Sequence, residues 1–299
     1  MNRNVIVWLS LCCIWGTTWL AIKLGLDFIP PFMFAGLRFL IAGTVLTLLA
    51  LIQKRKLPET RREWDTVWQS GLLTVGFNYG AIFWAEQHVS SGLAAVLNAL
   101  VPLFGILFAH RLIAGEAMTR KKVLGVTVGI AGVGIIFMDN LHSEGALAAW
   151  GSALIVVGAA AVAFASILVK LHAKNVDSVV LSAGQMVVSV PALFATGFLM
   201  GEHPSTIVFN TTSILALLHL AIVGSCVAFV LFYWLMKQIE VTKVLSLVLV
   251  IPIIAVTIGA LVHGEEVTWR LILGGATIIV GVGTIVINPL ALRSKKDGS

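Results

Sequence analysis

Long apolar runs recur along the chain, each about as long as a membrane crossing, with short polar breaks between them. A helix needs about 20 apolar residues to cross ~30 Å of hydrocarbon. Ten runs meet that length: 5–25, 31–53, 66–86, 91–112, 121–139, 147–169, 178–200, 213–236, 243–262 and 269–290. The longest breaks, 54–65 and 201–212, are too short for a folded soluble domain. The pattern predicts an all-α integral membrane protein with ten transmembrane helices. The first run is expected to remain as a span, because it has no small-x-small cleavage site and further spans follow at once. Bulky Leu11 argues against lipid attachment at Cys12.

Composition narrows the class. Of 299 residues, 59% are hydrophobic and 11% charged, with a mean hydropathy of +1.00. An ordinary soluble domain has about 45–50% apolar and about 25% charged residues. Disordered, collagen-like and disulfide-stapled chains are excluded by the same figures. Cys12, Cys13 and Cys226 lie in apolar runs and have neither disulfide-framework nor metal-site spacing. The net charge of +6 sits in short clusters between spans, the pattern of cytoplasmic loops and not of a nucleic-acid-binding face. With the N-terminus placed in the cytoplasm, all but Lys23, Arg38 and Arg270 of the 20 Lys and Arg residues fall on the cytoplasmic side. Both termini are therefore expected there.

The chain also repeats itself. Gly115-Glu116-Ala117-Met118-Thr119, followed by Gly125, Gly132 and Gly134, recurs as Gly264-Glu265-Glu266-Val267-Thr268, followed by Gly274, Gly281 and Gly283, 149 residues on. Val101-Pro102 matches Ile251-Pro252, and Phe83-Trp84 matches Tyr233-Trp234, 150 residues on. Lys23 pairs more loosely with Lys170. Residues 1–140 and 147–290 thus form two five-helix repeats, with 291–299 a cytoplasmic tail. Five is odd, so the second repeat enters the membrane from the opposite side. Inverted repeats are a recurrent plan of secondary transporters.

Trp15-Gly16-Thr17-Thr18-Trp19, Arg38-Phe39 and the duplicated Pro…Gly-Glu…Thr…Gly pattern resemble the EamA family of the drug/metabolite transporter superfamily. The resemblance covers nearly the whole chain. It implies a ten-helix carrier of the bacterial inner membrane, often one that exports amino acids or related metabolites. It also implies a central site lined by the first, third, fourth, sixth, eighth and ninth spans.

Candidate residues follow from polarity and helical spacing. Trp8, Cys12, Trp15 and Trp19 share one face of the first span, and Trp15 and Trp19 lie deep enough to line a cavity, unlike Trp64, Trp68 or Trp150. Asn78 and Tyr79, Asn98, Ser225 and Trp234 add polar and aromatic groups. Asn78 and Asn98 line a cavity or hydrogen-bond between helices. Arg38, about 10 Å below Pro31 at 1.5 Å per residue, snorkels to the headgroups, meets a structural partner such as a freed carbonyl, or binds a substrate carboxylate. Pro102 and Pro252 break their helices, as packing kinks or as paired bends beside the cavity. Glu86 is a candidate gate or protonation site, or else a solvated helix end. Glu116 and Glu265 read as caps or ion-pair partners for the helices that follow them. The glycines of the fifth and tenth spans suit close helix packing.

The expected partners are a small-molecule substrate, the lipid bilayer and, as a coupling ion left open, the proton. No cofactor or metal is expected, because there is no Walker loop, HExxH, GxSxG or Cys/His cluster. The alternatives to amino-acid export are uptake or efflux of drugs, sugars or nucleosides. More remote are an integral-membrane enzyme and a non-transporting membrane protein. Monomer and homodimer both stay open.

Overall fold

A computed structural model describes residues 3–113, 119–143, 145–239, 244 and 247–286. Residues 115–118 of the first Gly-Glu motif, Glu116 among them, and the tail at 291–299 lie outside the described residues. Ten helical spans are present among the described residues, in the predicted order. They are α1 (Arg3–Leu26), α2 (Pro31–Ile52), α3 (61–85), α4 (Ser91–Leu112), α5 (Arg120–Ser143), α6 (Gly145–His172), α7 (Ser178–Leu199), α8 (211–238), α9 (Leu247–His263) and α10 (Trp269–Val286). Six are long and apolar enough to cross a membrane: α1, α2, α4, α6, α7 and α8. Shorter apolar helices cover Val250–His263 and Trp269–Thr284.

The starts are set by local chemistry. Thr60 and Glu63 form a capping box at α3, and Asn210 and Ser213 another at α8. Asp177 caps α7 by accepting from the amides of Val179 and Val180. Pro31 opens α2, where its missing N–H is no loss.

Helix packing has the symmetry of the repeat. Exchanging each helix with the one five places away maps the α1–α9 contact onto α6–α4, α1–α8 onto α6–α3, and α2–α8 onto α7–α3. The α2–α7, α5–α10 and α4–α9 contacts map onto themselves. The equivalent helices α2 and α7 run antiparallel. Glu202, after α7, accepts from the amides of Phe32 and Met33 at the start of α2, while Arg55, after α2, pairs with Asp177 at the start of α7 at 3.0 Å. In α5 and α10, a Cβ built on Gly132 would lie 2.7 Å from the Gly274 carbonyl oxygen, and one on Gly281 2.7 Å from that of Gly125. Backbone therefore touches backbone, as the small-residue pattern predicts.

Three helices are less regular than the sequence suggests. Both α3 and α8 contain a π-helical stretch, Leu72–Tyr79 and His219–Val227, between α-helical ends. In α4, the helix stops at Asn98 and resumes at Val101, which puts Pro102 in the first turn of the second piece. The matching proline is set differently. Pro252 lies inside α9, and Leu249 and Val250, which correspond to Ala99 and Leu100, are helical.

Candidate functional site

The π-helical stretch of α8 supplies the acceptors around which the centre of the bundle is built. A π turn widens the helix and displaces carbonyls from the regular i→i−4 ladder. Here the Ser225 hydroxyl donates to the Leu220 carbonyl at 2.9 Å. The carbonyl of Gly224 accepts two side-chain donors, Trp15 Nε1 from α1 and Arg38 Nη2 from α2, each at 3.4 Å. Arg38 Nε also donates to Ser225 Oγ at 2.9 Å. Glycine is required at 224 because a Cβ there would lie 2.7 Å from Thr18 Cγ2.

Arg38 is 1% exposed, so it does not snorkel; of the three sequence readings, the freed-carbonyl partner is the one seen. Among the described residues it makes no ion pair. Aromatic faces surround it instead: its Cζ lies 4.7 Å from the Tyr79 ring centre, 4.9 Å from Phe39 and 5.9 Å from Phe83. Each cation–π contact of this kind contributes about 0.5–2 kcal/mol. Nη1 has no hydrogen-bond partner.

The structure thus brings Trp15, Arg38, Tyr79 and Ser225 together. Trp15 also meets the rings of Phe229 and Phe232 at 6.2 and 5.2 Å. Trp19 is buried in the adjoining core. Asn78, next to Tyr79, points the other way, to α6: a Cβ on Gly158 would lie 2.6 Å from its Oδ1. Asn98 closes the first piece of α4, and its Oδ1, like that of Asn78, is buried without a partner. Trp234 stands apart from the cluster. It is more than two turns along α8 from Ser225, and the Arg3 guanidinium lies 4.8 Å from its ring centre. Trp64, Trp68 and Trp150 are exposed, as expected of bundle-surface aromatics.

Glu86 is not a solvated helix end. It is 0% exposed, and neither carboxyl oxygen has a hydrogen-bond partner. Glu265 is a cap, but not of the helix that follows it. Its carboxylate accepts from the Ser91 amide and hydroxyl, both at 2.9 Å, and from the Gly92 amide at 3.2 Å, at the start of α4 in the other half.

Two residues missed in the sequence complete the arrangement. Gln185 Nε2 of α7 donates to Ser70 Oγ at 2.9 Å, and Ser189 Oγ to the Gly71 carbonyl at 2.8 Å, where the π-helical stretch of α3 begins. Both stood in the sequence as polar residues in an apolar run. Two cavities of about 440 and 450 Å³ are lined by residues outside the cluster. The first borders Asp27, Trp84 and Gln87, the second Phe32, Gly76 and Leu154. Among the described residues, no group of three His, Cys, Asp or Glu side chains is placed to hold a metal.

Comparison with known proteins agrees with this architecture. The model of the EamA-like transporter family matches residues 3–138 and again 149–287. The chain is 28% identical over 275 residues to the uncharacterized transporter YoaV of Bacillus subtilis strain 168, covering 92% of this chain and 93% of that one. It is 31% identical over 262 residues to the uncharacterized inner membrane transporter YedA of Escherichia coli strain K12, covering 87% and 82%. A crystal structure 21% identical in sequence has the same fold, with a TM-score of 0.67 over 95% of this chain and 96% of the other.

Proposed function

The chain belongs to the EamA-like transporter family, and from that premise we propose that it is a secondary carrier that exports amino acids or related small metabolites across the inner membrane by alternating access. The halves 1–140 and 147–290 are the units that move, and the charge pattern puts both termini in the cytoplasm. The observation that carries this reading is the convergence on Gly224 and Ser225 of side chains from α1 and α2, with Tyr79 of α3 against the same guanidinium. Donors, a cation and aromatic faces meet where the helices themselves are irregular, and irregular backbone at membrane depth is tolerated where it is enclosed by protein or lines a cavity.

Arg38 and Asn98 are the groups assigned to polar or anionic parts of the solute, Trp15 and Tyr79 to its apolar parts. The irregular turns of α3, α4 and α8 let the halves bend about the site. Uptake into proteoliposomes across a panel of amino acids, sugars, nucleosides and cationic drugs tests this reading. Saturable flux of amino acids is the expected result, and flux of another class alone reassigns the substrate. Flux of none of them removes the carrier reading. Asn98→Leu is expected to abolish flux with insertion intact, and unchanged affinity in that variant takes Asn98 out of the site.

A further inference from the structure

The turn between α3 and α4 is held from both halves at once. Lys23 Nζ of α1 donates to the main-chain carbonyls of Glu86 at 2.6 Å and Val89 at 3.0 Å. Glu265 of the second half grips Ser91 and Gly92, two and three residues further on. These contacts fasten α1, the α3–α4 turn and the segment after α9 to one another at a single end of the bundle. The Glu86 side chain lies inside that clamp, wholly buried, with both carboxyl oxygens unpartnered.

The position of the lysine is informative. Lys23 is bonded to the main chain of Glu86 yet makes no ion pair with its carboxylate. Were the side chain an anion, an ammonium this near would be drawn to it in preference to neutral carbonyls, because bonds between two ionised groups are the stronger ones. A buried anion with no partner is also far more costly than a neutral acid. The observed arrangement suits a Glu86 that carries a proton. The charged groups around it are Lys23 from α1 and Arg38 from α2, which favour the anion, and Glu265 from the segment after α9, which opposes it. His88, in the same turn, is held below the ordinary imidazole value by burial and by Lys23, so it is not a second cation there near neutral pH.

We infer that Glu86 is a proton-binding site that works a latch at this end of the bundle. With its proton, Glu86 leaves Lys23 on the carbonyls of Glu86 and Val89, and the end is shut. When the proton leaves, the carboxylate takes Lys23 as its partner, the two carbonyls are released, and the turn is free to part from α1. The cavity bordered by Asp27, Trp84 and Gln87 lies beside the turn and receives the proton. The inference rests on the carrier reading and adds the proton as its coupling ion.

The test needs no transported solute. Nitroxide labels at Asp27 and Val267, in a background with the three cysteines replaced by alanine, report the separation across the latch in lipid nanodiscs. Infrared difference spectra between acid and alkaline pH report the carbonyl stretch of a buried carboxylic acid. In the parent, the separation is expected to lengthen as pH rises and the acid band to disappear. Glu86→Gln is expected to keep the short separation at every pH and to lack the band. Lys23→Met, which removes the clamp but keeps the acid, is expected to give the long separation at every pH. If Glu86→Gln inserts poorly, Glu86→Asp carries the test, with the band shifted and the pH response retained. A separation that ignores pH in the parent overturns the inference, as does a band or a pH response that Glu86→Gln shares with it. Because both signals are read without flux, their failure is distinct from failure of the carrier reading.

Discussion

The third helix of each half contains a π-helical stretch at equivalent positions, and the two stretches are gripped by different chemistry. In the first half, neutral groups from α7 do the work: Gln185 on Ser70 and Ser189 on the Gly71 carbonyl. In the second half, the grip comes from α2 and is a charge, Arg38 on Ser225 and the Gly224 carbonyl. The fold needs both interruptions satisfied, since a buried carbonyl without a partner costs about 1–3 kcal/mol. It does not need a cation to satisfy them, as the first half demonstrates. The symmetric requirement is structural; the charge is the departure from symmetry, and it coincides with the aromatic cluster.

The most forceful way to break this comparison is to neutralise both grips. Arg38→Met removes hydrogen bonds from a charged donor, each of which contributes about 1.5–3 kcal/mol, whereas Gln185→Met removes a neutral one worth about 1 kcal/mol. Arg38→Met is therefore expected to lower stability by about 3 kcal/mol or more in denaturant unfolding in detergent, and Gln185→Met by about a third of that. Equal stability of Arg38→Met and the parent would show that the guanidinium is not a strut and is kept for binding.

The prolines give the next contrast. Pro102 occupies the first turn after a break, where its ring and missing N–H do no harm. Pro252 sits inside a helix, where proline costs about 3 kcal/mol in a soluble reference. Pro252→Ala is expected to raise the unfolding midpoint, and Pro102→Ala to leave it within about 1 kcal/mol of the parent. If Pro102→Ala is the stabilising one, α4 breaks because of its proline and not because of Asn98 and the turn that follows.

The α5–α10 seam sharpens the symmetry itself. Gly132 and Gly281 are equivalent, and each faces backbone of the other half; Gly134 and Gly283 are also equivalent, and each faces open space. Gly132→Val and Gly281→Val are expected to destabilise by about 1–3 kcal/mol, the usual cost of overpacking, and by similar amounts. Gly134→Val and Gly283→Val are expected to change little. Thermal unfolding of the four variants checks both statements, and unequal costs at 132 and 281 would break the two-fold relation at its closest contact.

The ten spans were legible because lipid demands one composition over one length, but the capped starts were not: α3 and α8 begin at 61 and 211, behind Thr60 and Asn210, earlier than the apolar runs at 66 and 213. The α5–α10 seam was legible from its glycines. The π-helical stretches were not, since Leu72–Tyr79 and His219–Val227 read as plain apolar helix: a π turn moves carbonyls, and carbonyls have no sequence. Arg38, Tyr79, Ser225 and Trp15 could each be suspected as a polar or aromatic group out of place. Their meeting at Gly224 could not, because the residue that joins them has no side chain. Helical spacing put Trp234 near the Ser225 face, but it did not show that the ring meets Arg3 and not the Gly224 cluster. The matched prolines share their sequence context but not their setting: α4 is interrupted just before Pro102, while α9 runs on through Pro252.

The smallest contrast lies at the starts of the same two helices. Both open on a capping box, but α3 uses a carboxylate, Glu63, where α8 uses a hydroxyl, Ser213. Glu63 accepts from the amides of Thr60 at 3.0 Å and Glu59 at 2.8 Å, and these bonds hold its carboxyl below the ordinary value. A group whose value is lower in the folded state binds fewer protons there than when unfolded, so its contribution is complete above the ordinary carboxylate range and is lost as pH falls through the lowered value. Hydrogen exchange corrected for intrinsic rates is therefore expected to show the amides of Glu59 and Thr60 losing protection on acidification through that window. The amide of Asn210, bonded to the Ser213 hydroxyl, is expected to keep its protection. Glu63→Gln, which still accepts but does not titrate there, is expected to remove the pH dependence and leave α3 starting where it does. Persistence of the acid step in Glu63→Gln would place its origin outside the capping box and remove this difference between the halves.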